Sequence, residues 1–160
     1  MKLIPAKVED IPWIMMLEKA PENRNFVWQG SYEEHLFEIN DPDSYLLIHL
    51  DKSDKNIGYS LNKFHKKSKN FEIRRIVVNN KGLGLGKKSM KALLDFGFNE
   101  LGAQRIWLDV YPENEIGISL YKSLGFTQEA HLRRSDYQRG KYYDQLVFGL
   151  LKEEYQELLL

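Results

Sequence analysis

The chain has no cysteine. That absence excludes disulfides, thiolate metal sites and a cysteine nucleophile. It suits a reducing cytosol, so a cytoplasmic location is expected. Net charge is absent too: 23 Lys and Arg stand against 23 Asp and Glu, and bulk electrostatics give no ground for a nucleic-acid surface. No apolar run approaches the roughly 20 residues that cross a bilayer, and the N-terminus lacks the charged, apolar and small-residue succession of a signal peptide. No membrane association is expected. The four histidines, His35, His49, His65 and His131, have no metal-ligand spacing, so no metal is expected. Internal repeats and low-complexity linkers are missing, and 160 residues suit a single domain, 1–160, with one adequate core.

What the chain does have is a clear succession of elements. Lys2 to Ala6 reads as a short strand. A helix is expected from Val8 to about Ala20, with Asp10 near its start and Pro12 in its first turn; Pro21 stops it. Ser31-Tyr32-Glu33-Glu34 is a capping box that opens a second helix to about Asn40, and Asp41-Pro42-Asp43 is a turn. Tyr45 to Leu50, Ile57 to Phe64 and Phe71 to Val78 read as strands joined by short polar segments, an antiparallel meander. Met90, Leu93, Leu94, Gly97, Phe98 and Leu101 recur at helical spacing, with Lys87, Lys88, Lys91, Asp95 and Asn99 on the other face and Gly102 as the C-terminal cap. Arg105 to Tyr111 is a strand. Asn114 caps a helix that runs to Leu124. Phe126 to about Arg134 and Tyr142 to Leu151 are two long strands, joined by a loop from Ser135 to Lys141. This order is that of an α/β domain with a mixed sheet, not a regular alternation of strand and helix.

The segment from Phe71 to Lys87 carries the most chemistry. A strand runs into Asn79-Asn80-Lys81-Gly82-Leu83-Gly84-Leu85-Gly86-Lys87 and then into a helix. Such a turn aims bare backbone N–H groups and a helix N-terminus at one point, a place to hold a phosphate. The nucleoside-triphosphate loop G-x-x-x-x-G-K-[ST] fails twice, with Lys81 in its first place and Lys88 in its last. The dinucleotide fingerprint G-x-G-x-x-G also fails, because Lys87 or Ser89 stands where its last glycine belongs. The pattern that fits is R/Q-x-x-G-x-G/A, with lysine at the first position. It resembles the acetyl-CoA diphosphate loop of the GNAT (GCN5-related) N-acetyltransferases. Lys81 keeps the charge of the usual arginine and loses its forked geometry.

A second segment extends that resemblance. Asn114-Glu115-Ile116-Gly117-Ile118-Ser119-Leu120-Tyr121-Lys122-Ser123-Leu124-Gly125-Phe126 is similar to the second cofactor segment of the same family. With Gly102 to Val110 and the tail from Leu132 through Gln145, it resembles the RimJ/RimL-type branch, whose founding members acetylate protein N-terminal amines. The resemblance covers Phe71 to Leu151; before that only the element order agrees. It implies a single-domain GNAT fold: a mixed, mostly antiparallel sheet of about seven strands with four helices, split between the fourth and fifth strands. It implies acetyl-CoA as co-substrate, an amine acceptor, and a homodimer as the usual assembly.

The resemblance also implies roles. Backbone groups of Ile76, Val77 and Val78 would bond the pantetheine arm like an added strand. Lys81, Gly82, Leu83, Gly84, Leu85, Gly86 and Lys87 would hold the diphosphate. Asn114 and Tyr121, seven residues apart, share one helix face; Asn114 would bond pantetheine, and Tyr121 would protonate the leaving thiolate as a general acid. Asn114 is equally an ordinary N-cap, and Lys122 reads as solvated. Glu72 is the expected general base, with Asp109 and Tyr111 as weaker candidates; its plain alternative is a pair with Arg74 or Arg75. The acceptor wall is sought among Phe26, Trp28, Tyr32 and Glu33 on one side, and Asp109, Tyr137, Arg139 and Tyr142 on the other. Arg133 and Arg134 read as a solvated pair. Three readings compete: an N-acetyltransferase, a CoA-binding regulatory module of the same fold without catalysis, and a structural or interaction protein of that fold that binds no CoA.

Overall fold

The computed structural model describes residues 1–79 and 82–159. Strand β1 is Lys2–Pro5, and a 3-10 turn over Val8–Asp10 leads into helix α1, Ile11–Lys19. The one helix expected from Val8 is thus two pieces: the Lys7 N–H donates to Asp10 Oδ2 at 2.8 Å, closing a separate turn before Pro12. Helix α2, Tyr32–Asn40, opens on the expected capping box, with the Glu34 N–H donating to Ser31 Oγ and the Ser31 N–H to Glu34 Oε2. Strands β2, Ser44–Leu50, β3, Asn56–His65, and β4, Asn70–Val78, form the antiparallel meander.

Helix α3 spans Leu85–Asp95 and then widens to a π-helical turn over Phe96–Glu100, where the Leu101 N–H reaches back to the Phe96 carbonyl. Its predicted apolar stripe is the buried one: Met90, Leu93, Leu94 and Phe98 are all sealed. Strand β5 is Arg105–Val110, α4 is Glu115–Ser123, β6 is Thr127–Gln138 and β7 is Lys141–Leu151. A short helix the sequence reading did not anticipate, α5 over Lys152–Glu157, follows and stacks Tyr155 on Phe98.

The seven strands form one sheet in the order β1-β2-β3-β4-β5-β7-β6. Every pairing is antiparallel except β4 with β5. Side chains alternate across a strand, so the sheet builds a core on each face. One cluster joins α3, α4 and the centre of the sheet through Phe71, Leu93, Ile106, Tyr121 and Phe148. The other joins α1 to the first four strands through Ile14, Leu17, Ile48, Tyr59 and Val77. Truncating a fully buried Phe such as Phe71 or Phe148 to alanine would cost about 3–5 kcal/mol.

The last hairpin departs from expectation. Ser135 to Lys141 is not a loop, because β6 continues to Gln138 and turns back through Arg139 and Gly140 alone. Both turn residues have positive φ, 53° and 74°, the geometry of a tight primed hairpin turn. The strand reaches that far by a bulge between Leu132 and Asp136, with Arg134 at φ 50°.

Candidate active site

The sheet opens between β4 and β5. The two pair in parallel at Asn70–Arg105, Phe71–Ile106 and Glu72–Trp107, and no further register joins them. The cause lies in β4. Its pairing with β3 jumps from Asn62–Ile73 to Leu61–Arg75, so Arg74 is an extra residue. A bulge bends the strand that carries it, here just where β4 leaves β5. Beyond it β4 stays bonded to β3 at Ile76, Val77 and Val78, while β5 stays bonded to β7 as far as Val110. The split expected between the fourth and fifth strands is therefore present. It forms a cavity of about 1180 Å³.

Beside the open edge of β4 stands the glycine turn. Gly84 is the N-cap of α3 at φ 68°, a left-handed conformation that glycine adopts without penalty. The first helical turn leaves the N–H groups that follow it without intrahelical acceptors, and the helix dipole adds partial positive charge there. Gly82, Gly84, Leu85, Gly86 and Lys87 all line the cavity. Leu83 does not; its side chain is 67% exposed on the outer side of the turn. Lys81 lies outside the described residues.

The opposite lip is α4. Asn114 caps it, its Oδ1 accepting the Gly117 N–H at 3.0 Å, so the plain N-cap role is occupied by one end of the amide. The Nδ2 end has no acceptor among the described residues, and Asn114 lines the cavity. Tyr121 is 7% exposed, packs against the Phe126 and Phe148 rings and lines the same cavity. Burial, reinforced by the negative charge of Asp109, pushes its phenol up to about 12. The hydroxyl is therefore a proton donor across the ordinary pH range.

Strand β5 supplies Asp109. Leu108 and Val110 point into the core with Tyr121, so Asp109 faces the other side of the sheet, towards the α1–α2 region. Its carboxylate meets the solvent of the cleft, yet the surrounding protein is dense enough that desolvation raises its pKa. Glu72 and Asp136 push in the same direction, opposed by a hydrogen bond from Gln145 and the charge of Arg74. Gln145 Nε2 donates to Asp109 Oδ1 at 2.8 Å. The β6 bulge brings in Asp136, which accepts from the Tyr111 hydroxyl, the Gln138 amide and the Tyr137 N–H. Burial and the Asp136 hydrogen bond raise the Tyr111 phenol. The sequence reading passed over Asp136 and Gln145, one assigned to a loop and the other to a strand interior.

The α1–α2 wall holds a buried ionic cluster. Glu18 accepts from the Tyr59 hydroxyl, from the Gly30 N–H at 3.0 Å and from Arg75 Nη1 at 3.2 Å. His35 bridges Glu18 and Glu38, at 3.2 and 2.9 Å. The Arg75 guanidinium also pairs with Glu38 and lies 4.6 Å from the Trp28 ring centroid, a cation–π contact. Arg75, Glu38 and Trp28 line the cavity, as do Phe26, Phe37 and Glu33.

Five expected residues, Glu72, Tyr32, Tyr137, Arg139 and Tyr142, are not among those that line the cavity. Glu72 is not among the lining residues; it sits at the last paired register, with Arg74 Nε and His65 Nε2 each 3.2 Å from its oxygens. Tyr32 is 40% exposed outside the cavity. Tyr142 is exposed and packs on Tyr137 at the hairpin tip, where Arg139 donates to the Arg24 carbonyl and to Asn25 Oδ1. Among the described residues, no group of three or more His, Asp or Glu side chains is placed to hold a metal ion, and no helix is long and apolar enough to cross a membrane.

Comparison with known proteins follows the same geometry. Residues 11–126 match the family model described as the acetyltransferase (GNAT) family. A prophage-derived, uncharacterized N-acetyltransferase of Bacillus subtilis is 37% identical over 76 residues, which are 48% of this chain and 43% of that protein. The chain thus matches less than half the length of this relative, and the same holds for an uncharacterized N-acetyltransferase of Bacillus licheniformis. The spermidine N(1)-acetyltransferase of Escherichia coli is 23% identical over 96% of this chain and 87% of its own. Among solved structures, a mutant spermidine N-acetyltransferase of Vibrio cholerae superposes over 100% of both chains with a TM-score of 0.85 at 22% identity. At that identity the likeness speaks for the fold. Another structure of the Vibrio enzyme, described as dodecameric, gives 0.80 over 96% of this chain and 95% of that one.

Proposed function

This chain belongs to the GNAT acetyltransferase family, and we propose that it moves the acetyl group of acetyl-CoA to a primary amine on a small cationic molecule. Members of the family use acetyl-CoA as co-substrate. The observation that carries the proposal is that the glycine turn, the parted edge of β4 and Tyr121 line one cavity. The diphosphate would sit against the N–H groups of the turn, and pantetheine would bond the free edge at Ile76 to Val78. That arrangement would bring the thioester to the apex of the split. The amine nitrogen forms a bond to the acetyl carbon, the carbon–sulfur bond breaks, and the departing thiolate takes the Tyr121 proton.

The acceptor wall supports a small cationic amine. Phe26, Trp28 and Phe37 supply aromatic faces, and Glu33, Asp109 and Asp136 supply carboxylates around the same space. The sequence left a protein N-terminus and a small-molecule amine both open, and the spermidine acetyltransferases among the relatives favour a diamine or polyamine. Assembly as a homo-oligomer belongs to the same proposal, and light scattering would check it.

The test has two stages. Acetyl-CoA at a hundred times its Kd should stabilise the fold by about 2.7 kcal/mol, read as a thermal shift. A panel of diamines, polyamines, amino acids and N-terminal peptides is then followed by free-thiol release. Thiol release with a polyamine supports the proposal. Binding without turnover on the whole panel points to a CoA-binding regulatory module, and no shift removes the cofactor assignment.

A further inference from the structure

We infer that Asp109 is the base that takes the proton from the incoming ammonium, and that Gln145, locked by Ser135, holds it in that role. The inference rests on the acetyltransferase reading and assigns a step that reading leaves open.

An ammonium has no lone pair, so it must lose a proton before it can attack a thioester. The lining carboxylates differ in what already occupies them: Glu34 accepts the Ser31 N–H at 2.8 Å, and Glu33 stands in the first turn of α2, on the acceptor wall. Glu38 is paired with Arg75 and His35. Asp41 is bonded to Ser44 and lies 3.4 Å from Lys63. Asp136 receives three donors. Glu113, Asn114 and Glu115 stand at the cofactor lip, where α4 begins. Glu72, off the lining, is bonded to Arg74 Nε and His65 Nε2. Asp109 lines the same cavity as Tyr121 from the other face of β5, its charge raises that phenol, and among the described residues it is bonded through a single oxygen to a neutral amide. Its other oxygen is free to meet the nitrogen.

The amide is itself fixed. Ser135 Oγ lies 2.7 Å from Gln145 Oε1 and 3.4 Å from the Leu132 carbonyl, so the shorter contact takes the hydroxyl proton. A donor on Oε1 makes that end the carbonyl and turns Nε2 to Asp109. Ser135 reaches this place because of the β6 bulge, whose Arg134 N–H is anchored on Asp144 Oδ1 at 2.8 Å. The charged groups that act on Asp109 are Glu72 and Arg74 on β4 and Asp136 on β6, and Asp109 in turn raises the phenols of Tyr111 and Tyr121. Desolvation and the two carboxylates together raise Asp109, as a base working near neutral pH requires.

The balance closes as follows. One ammonium proton passes to Asp109 and from there to cleft water. The freed lone pair attacks the acetyl carbon, sulfur leaves with the Tyr121 proton, and the second nitrogen proton returns to the phenolate through water. The products are the amide, the free thiol of CoA and one proton.

The experiment uses the full chain and the best acceptor of the amine panel. Asp109→Asn should lower kcat about 10²–10⁴-fold while acetyl-CoA affinity, by thermal shift, stays within about twofold. Its remaining rate should climb with pH, since solvent then supplies free amine. Gln145→Glu places a second carboxylate against Asp109 and should move the acidic limb of kcat/KM to higher pH; Gln145→Leu should cut kcat with little change in acetyl-CoA binding. An Asp109→Asn enzyme that keeps the wild-type profile, or a Gln145→Glu enzyme whose limb does not move, overturns the inference and leaves the acetyltransferase reading standing. A wild-type chain that acetylates nothing on the panel overturns both.

Discussion

Glu18 on α1 and His35 on α2 meet at 3.2 Å with neither side chain exposed to solvent. They belong to a charge-balanced set with Glu38 and Arg75. Burial alone would depress the imidazole, yet the carboxylates on both its nitrogens overcome that and raise it to about 9. Burial alone would raise Glu18, yet donors from His35, Tyr59 and Gly30 bring it below its ordinary value. The set ties both helices to β4 directly behind Trp28.

The pH dependence follows from those two directions. His35 titrates higher in the folded state than its ordinary 6.5. Its contribution is therefore complete below pH 6.5 and is lost as pH rises towards about 9. Glu18 titrates lower than 4.5, so its contribution is complete above that value and is lost as pH falls through the folded pKa. His35→Gln should cost about 3–5 kcal/mol at pH 6, because buried carboxylates lose a partner. Urea unfolding between pH 6 and 9 should show the wild type losing stability while the variant stays nearly flat. Parallel curves would mean that His35 is not charged in the fold.

Tyr121→Phe should keep acetyl-CoA affinity within about twofold and reduce kcat by about 10²–10⁴. Because the phenol is held near 12, the wild-type rate should show no alkaline loss from this group below about pH 11. Stopped-time assays of thiol release across pH decide it; an unchanged kcat would remove Tyr121 from the chemistry.

Gly86→Ala separates folding from cofactor binding. An added methyl would meet only Leu120 Cδ2, at an ordinary 3.6 Å, and alanine is the better helix former. The melting temperature without ligand should therefore hold or rise. The diphosphate needs the backbone to come close, so acetyl-CoA affinity should fall about tenfold, or 1.4 kcal/mol. Calorimetric titration reads it, and wild-type affinity would place the diphosphate elsewhere.

Gly58→Ala tests how closely β3 and β4 are packed. A Cβ there would stand 2.4 Å from the Val77 carbonyl oxygen, which is backbone and must shift. The expected loss is about 1–3 kcal/mol, measured by urea unfolding. Since Val77 lies on the open edge, the displaced strand should also weaken the acetyl-CoA thermal shift; a neutral variant would show that the sheet yields at this point without strain.

Much of this site was legible residue by residue. The glycine turn into α3, the Ser31 capping box, the Asn114 cap and the stripe from Met90 to Phe98 are set by neighbours a few positions away. So is the burial of Tyr121, which follows from its place on the inner face of α4. The hairpin at Arg139 and Gly140 was not legible, because the bulge after Leu132 breaks the alternation that marks a strand. Nor was the position of Glu72: the family resemblance implied a base there, but its register beside Trp107 puts it at the last paired position before the split, bonded to His65 and Arg74.

The sequence by itself determined the α/β class, the glycine turn into α3 and the family, because each is written in short-range spacing and backbone preference. Only the tertiary structure decided which carboxylates line the cavity with Tyr121. Glu18 with His35, Arg75 with Trp28, and Asp109 with Gln145 and Ser135 come together from distant segments. Their protonation is governed by burial and by charges that the fold alone brings within reach.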